Sequence, residues 1–105
     1  MIKGWANFDF HISGEIMRVN DVVKSQGKCY NKIVVVKYAS SDCVLLFREV
    51  AGIICENGGR MCHLAILSTE MGIPCVVGAS EAKHLVTGQT IEIDAINGEA
   101  IINEN

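Results

Sequence analysis

Three short apolar runs limit the fold more than any other feature of this chain. Ile33-Val34-Val35-Val36, Ile53-Ile54-Cys55 and Cys75-Val76-Val77 are each only a few residues long and rich in β-branched side chains. Such a run has no polar face, so it reads as a strand buried on both sides, as in a parallel sheet. The segments between the runs carry helix signals. Ser41-Asp42 offers an N-cap, and Cys43, Leu46, Phe47 and Val50 follow at i, i+3, i+4 and i+7, one apolar helix face, with Gly52 as the stop. After Gly58-Gly59 a second helix spans Cys62 to Met71, closed by Gly72 with Pro74 just beyond. The middle of the chain is therefore β-α-β-α-β with short crossovers, which argues a parallel sheet.

The flanks read differently. Phe8 to Val19 is a strand region broken near Gly14, and Asn20 to Asn31 is a polar loop or ragged hairpin. Ser80 caps a short helix through Leu85. Ile91, Ile93 and Ala95 alternate with Thr90, Glu92 and Asp94, so one face of that strand is wet. Asn97-Gly98 is a type I′ hairpin signal, and Ala100-Ile101-Ile102 is the return strand. The expectation is an α/β domain: a parallel β-α-β-α-β core, flanking antiparallel hairpin strands, two sheet portions and helices on one side. No linker, repeat or Ser/Gly tract divides the 105 residues, so residues 1–105 form one domain.

Composition excludes several functions. A net charge of −3 provides no basic field for nucleic acid. The longest apolar stretches are far too short to span a membrane. Five cysteines, an odd number without a CxxC pair, and the lack of a cationic-then-apolar leader point to reduced thiols in a cytoplasmic protein. Most of them read as small buried hydrophobes. The length is also too small for a complete two-substrate enzyme with its own nucleotide fold.

The chemistry-bearing stretch is Glu56-Asn57-Gly58-Gly59-Arg60-Met61-Cys62-His63-Leu64-Ala65-Ile66. A strand ends, two glycines turn the chain, and a histidine lands in the first turn of a helix. Adjacent glycines permit positive φ and leave room for a bulky group near the backbone. The first turn offers unpaired N–H groups and a positive dipole end that binds phosphate. A cation is repelled there, so an imidazole keeps a lone pair that can attack phosphorus. The bland reading of His63 is a polar surface residue. His11 and His84 lack this context and read as surface residues. Glu56 reads as a strand-end acid rather than a base. Cys62-His63 is a poor thiol–imidazole pair, because neighbours on a helix point about 100° apart. No fourth ligand completes a metal site with Cys62, His63 and His11, and no phosphate-binding G-x-x-x-x-G-K-[ST] is present.

The run Gly58 to Ile66, with Glu70-Met71-Gly72-Ile73-Pro74-Cys75-Val76-Val77-Gly78 behind it, resembles the phosphohistidine signature of the PEP-utilising enzymes. That group includes phosphoenolpyruvate synthase, pyruvate phosphate dikinase, Enzyme I of the sugar phosphotransferase system and rifampin phosphotransferase. The Cys-His pair is most like the phosphoenolpyruvate synthase form. The resemblance implies a swivelling β/β/α mobile domain in which His63 accepts a phosphoryl group on Nε2. It implies that Cys62, Gly58 and Gly59 orient or bind that group. Arg60 either helps to neutralise its charge or is a solvated loop arginine. The chain is then a phosphocarrier, a phosphotransferase component rather than a complete enzyme. Its partners are ATP-grasp-like ATP-binding and PEP- or acceptor-binding proteins or domains, with ATP or PEP as donor. It binds no cofactor of its own, and Mg2+ belongs at the partner donor and acceptor sites. Two departures stand out: Thr69 occupies a usual arginine position, and Phe10–Gly14 lacks the usual Ser-Pro-Gly turn. The Thr69 departure motivates the alternative, a non-catalytic regulatory or interaction module on the same fold.

Overall fold

The structure, a computed structural model, describes residues 1–104. Seven strands form one closed barrel: β1 (Ile2–Ala6), β2 (Phe10–Arg18), β3 (Ile33–Val36), β4 (Gly52–Cys55), β5 (Cys75–Val77), β6 (Thr90–Ile96) and β7 (Glu99–Glu104). Their order around the barrel is β1-β5-β4-β3-β2-β6-β7. The three apolar runs are β3, β4 and β5, and β3–β4 and β4–β5 pair in parallel, as the β-α-β-α-β pattern requires. β2 joins the parallel side through β3. The remaining pairings, β2–β6, β6–β7, β7–β1 and β1–β5, are antiparallel. The expectation of two sheet portions is thus corrected: parallel and antiparallel parts share one continuous sheet. Closure leaves no sheet edge to protect.

The burial pattern explains the two kinds of strand. Ile33, Val35, Ile54 and Val76 point into the barrel and meet Ile16, Ile91, Ile93 and Ile102. The alternate residues Val34, Val36, Ile53, Cys55, Cys75 and Val77 point outward into a second core beneath the helices. β3–β5 are therefore apolar on both faces. β6 and β7 bury only the inward face, which is why they alternate.

One α-helix, α1 (His63–Glu70), covers the outer core, with a 3-10 segment at Ser41–Leu46 packed beside it. The α-helix expected from Ser41-Asp42 to Val50 is corrected. Its buried residues Cys43 and Leu46 are three apart, the spacing that a 3-10 turn stacks on one side. Gly52 is not a helix stop. It opens β4, where a Cβ would stand 2.7 Å from Ile12 Cδ1. Ser80–His84 is likewise 3-10. β2 runs unbroken through Gly14, which pairs with Ile91. β1 lay outside the sequence expectation altogether. The type I′ turn is as expected, with φ of 55° at Asn97 and 83° at Gly98.

The end of α1 follows its sequence closely. Gly72 has φ of 72°; its N–H donates to Thr69 O, and Ile73 N–H donates to Ser68 O at 2.8 Å. Those two bonds are a Schellman closure. Asn7, just after β1, then clamps this helix end. Its amide donates to Ile73 O (2.7 Å) and Ser68 Oγ (3.2 Å), and its carbonyl accepts Cys75 N–H (3.0 Å).

Candidate functional site

The site lies where β4 hands over to α1. Leu64, Ala65 and Ser68 bury one face of the helix against the outer core. That fixes the opposite stripe, His63, Ile66 and Glu70, toward solvent, since i, i+3 and i+7 share a face. His63 is the first helical residue and Cys62 the N-cap. The Cys62 backbone is extended (φ −67°, ψ 160°), and its side chain caps nothing. The first-turn N–H groups therefore keep their free donors beside the exposed imidazole. Among the described residues, the His63 ring has no hydrogen-bond or ion-pair partner.

The loop ahead of the helix is anchored below and open above. Glu56, directly after β4, is buried and pairs with Arg18 at the end of β2. The same guanidinium donates to Ala82 O (2.9 Å) and Leu85 O (2.8 Å). A carboxylate buried this deeply needs such a partner. The pair ties β2, β4 and the Ser80–His84 segment together at the root of the loop. Glu56 is thus a structural strand-end acid, as its position suggested.

The two glycines differ. Gly58 has φ of 123°, and a Cβ there would sit 3.5 Å from Cys62 Sγ and 3.8 Å from Cys55 Sγ. Gly59 has no positive φ, and open space surrounds its Cα. Only Gly58 needs to be glycine for its backbone. Gly59 leaves the approach to the helix N-terminus clear, and Cys62 N–H donates back to its carbonyl at 3.0 Å. The Arg60 guanidinium lies over Trp5, on β1, 4.4 Å from the ring centroid. Met61 and Ile66 are exposed. With Trp5, Arg60, Thr69 and Glu70 they line an open groove of about 540 Å³.

All five cysteines are free. Burial pushes the Cys55 and Cys75 thiols up to about 12, and also raises Cys29 and Cys43. These four are packing groups. Cys62 is the partly exposed one. His11 lies on β2 between Asp94 (2.7 Å) and Glu92 (3.3 Å), and His84 lies beside Glu81. The structure thus brings Gly58, Gly59, Cys62 and His63 together and leaves His11 and His84 elsewhere. Among the described residues, no group of three or more His, Cys, Asp or Glu side chains is placed to hold a metal ion, and no helix is long and apolar enough to cross a membrane.

Residues 30–98 match the PEP-utilising enzyme mobile domain. The chain belongs to this family. Among curated proteins, the mobile domain is 36% identical over 87 residues to the phosphoenolpyruvate synthase of Pyrococcus furiosus, covering 82% of this chain and 11% of that protein. It is 31% identical over 99 residues to a probable phosphoenolpyruvate synthase of Methanothermobacter thermautotrophicus, covering 93% of this chain and 14% of that protein. The chain thus spans a small fraction of these relatives. Among solved structures, the fold is shared with an Enzyme I protein (TM-score 0.61, 24% identity, 81% of this chain and 34% of that one). It is also shared with aconitase X of Thermococcus kodakaraensis (TM-score 0.66, 17% identity, 96% of both chains). In this mobile domain the region without the Ser-Pro-Gly turn, Phe10–Gly14, is plain strand paired to β6. Thr69 closes back on its own helix, donating to Ala65 O at 2.6 Å.

Trp5, Asn7 and the Arg18–Glu56 pair were not found from the sequence as parts of the site. Their partners are 38 to 68 residues away in the chain, or approach from another strand, and no local pattern encodes that.

Proposed function

We propose that this domain is a phosphocarrier whose His63 takes a phosphoryl group from a donor site and delivers it to an acceptor site on other domains or proteins. The observation that supports it most is the unpartnered imidazole at the first helical position of α1, beside N–H groups that its own N-cap leaves free. The ring nitrogen Nε2 uses its lone pair to form the bond to phosphorus. The bond from phosphorus to the donor's bridging oxygen breaks, and that oxygen keeps the pair. The product phosphoryl group then faces the positive end of α1, which favours an anion. Positioning and electrostatics supply most of the catalysis in such transfers. Gly58 and Gly59 keep the approach open, and Cys62 sets where the helix begins. The donor is ATP or PEP, with Mg2+ held by the donor and acceptor domains. By its resemblance, this is the swivelling component of a phosphoenolpyruvate synthase-like system in the cytoplasm.

The test is incubation with ATP-binding and PEP-binding domains of a phosphoenolpyruvate synthase, with ATP or PEP supplied. The expected result is an acid-labile, base-stable mass gain of one phosphoryl group, absent in His63→Ala. No gain from a donor shown to be active would contradict the carrier reading and favour a regulatory module. An equal gain in His63→Ala would contradict the site.

A further inference from the structure

Arg60 is placed in a way that the carrier reading alone does not explain. Its backbone lies two residues ahead of the N-cap Cys62, so its side chain starts at the same end of α1 as the imidazole. Yet its guanidinium rests on the face of Trp5, 4.4 Å from the ring centroid. Among the described residues no carboxylate pairs with it. Two glycines make room for this stack. A Cβ at Gly98 would stand 3.2 Å from Arg60 Nη2. A Cβ at Gly78 would stand 3.3 Å from both Trp5 Cδ1 and the carbonyl oxygen of Gly58. The slot thus runs from the β6–β7 turn through Arg60 and Trp5 to the active loop.

We propose that Trp5 is a positioning residue that parks the Arg60 guanidinium beside the site until a phosphoryl group arrives on His63, and then yields it to that group. The inference rests on the carrier reading and adds an acceptor-state counter-charge with a defined resting place. The magnitudes support an exchange. A cation over an exposed ring favours the stack by about two- to five-fold. A charge-assisted hydrogen bond to an anion favours its partner by about ten- to a hundred-fold. The ring therefore holds Arg60 when no phosphoryl group is present and loses it when one is.

Trp5 is the one tryptophan of the chain, so the stack can be read directly. The phosphoryl donor for the test is potassium phosphoramidate. The imidazole nitrogen bonds to phosphorus as the P–N bond breaks, and ammonia leaves with that pair and takes the imidazole proton as ammonium. Phosphorus NMR follows His63, and proton NMR follows the ring-current shift of the Arg60 side chain over Trp5. In the unmodified protein the Arg60 protons are shifted upfield; Trp5→Leu abolishes the shift, and Trp5→Phe restores part of it. Phosphorylation removes the shift, and the tryptophan emission changes in the native protein but not in Arg60→Gln. Arg60→Gln slows phosphoryl uptake about tenfold or more. Trp5→Leu, which frees Arg60, speeds it about two- to five-fold. A purely structural Trp5 would slow uptake instead, and that result overturns the proposal. So does phosphorylation of His63 with Arg60 still on the ring, or an unshifted Arg60 in the native protein; both need no variant to fold. Failure of His63 to take the group overturns the carrier reading and this one together, whereas the other outcomes overturn this one alone.

Discussion

The two cores of this domain are built from different materials. The buried side chains of the barrel interior are aliphatic, among them Ile16, Ile54, Ile93 and Ile102 with small alanines, and Phe10 packs against them from a partly buried position. The outer core sets Cys29, Cys43, Cys55 and Cys75 among branched aliphatics such as Val34, Val36, Ile53 and Val77, with Phe47, Leu64 and Met17, and Cys62 at its margin. The interior joins strands from both ends of the chain and fixes the frame. The outer layer carries α1, and hence His63, on a bed of thiols and branched aliphatic side chains. Branched aliphatic side chains have few rotamers and define one packing, whereas thiols fit irregular gaps with little loss. The frame should therefore tolerate truncation less well than the layer bearing the site, although they share β3, β4 and β5.

Neighbouring residues on β4 test this most strongly. Ile54 points into the barrel and Cys55 points out of it, and both are fully buried. Ile54→Ala should cost about 2–5 kcal/mol, by analogy with aliphatic truncations in other cores. Cys55→Ala should cost about 1 kcal/mol, because one sulfur is lost from a loosely specified layer. Urea midpoints of the two variants check the order. Equal losses would dissolve the distinction.

Arg18 joins the two regions at the root of the loop. Arg18→Met leaves the buried Glu56 carboxylate and the Ala82 and Leu85 carbonyls without their donor. The expected loss is about 3 kcal/mol. Hydrogen exchange should show the Glu56 and Asn57 amides, which donate to Val36 O and Lys37 O, opening together with the global transition; early opening of those two alone would place the pair outside the frame.

The thiol layer should also be the alkali-sensitive one. Cys55 and Cys75 have thiols raised from 9.0 to about 12 in the folded state. The unfolded chain gives up those protons first, so their stabilisation is complete below pH 9 and is lost as pH rises toward 12. At pH 10 each group withdraws on the order of 1 kcal/mol. Denaturation at pH 8 and pH 10 measures this, and replacing both cysteines by alanine should reduce the dependence to the smaller part left by the raised Cys29 and Cys43 thiols. A dependence unchanged by the double replacement would assign it to other groups.

The smallest effect compares the two loop glycines. Gly58→Ala forces a side chain onto a backbone with φ of 123° and should cost about 1–2 kcal/mol. Gly59→Ala meets open space and should change stability by less than about 0.5 kcal/mol. Thermal midpoints of both variants decide whether the pair is one structural unit or two separate requirements.

How far the sequence discloses this arrangement depends on the range of the interaction. The β3–β5 runs are legible because burial on both faces removes every polar residue from them. α1 and its Gly72 closure are legible because capping is local. The I′ turn at Asn97-Gly98 is legible for the same reason. The barrel closure is not, since it rests on β1 meeting β5 and β7, which are about 70 and 95 residues away in the chain. Only Ile2 and Trp5 hint at that strand, with too few alternations to register. The helix drawn through Cys43, Leu46, Phe47 and Val50 fails because its i, i+3 contacts also suit a 3-10 turn. In the site, His63, Cys62 and the glycines lie in one run and can be read there. Trp5 and Arg18 act across strands and leave no local mark.

In the proposed carrier, one ring nitrogen of one histidine holds the phosphoryl group. Labelling the three histidines with 15N and treating the protein with an active phosphoryl donor tests it at the level of the atom. A one-bond phosphorus–nitrogen coupling is expected on Nε2 of His63 alone, lost in His63→Ala. Coupling on His11 or His84, or none on any imidazole with a donor that works on a related mobile domain, would contradict it.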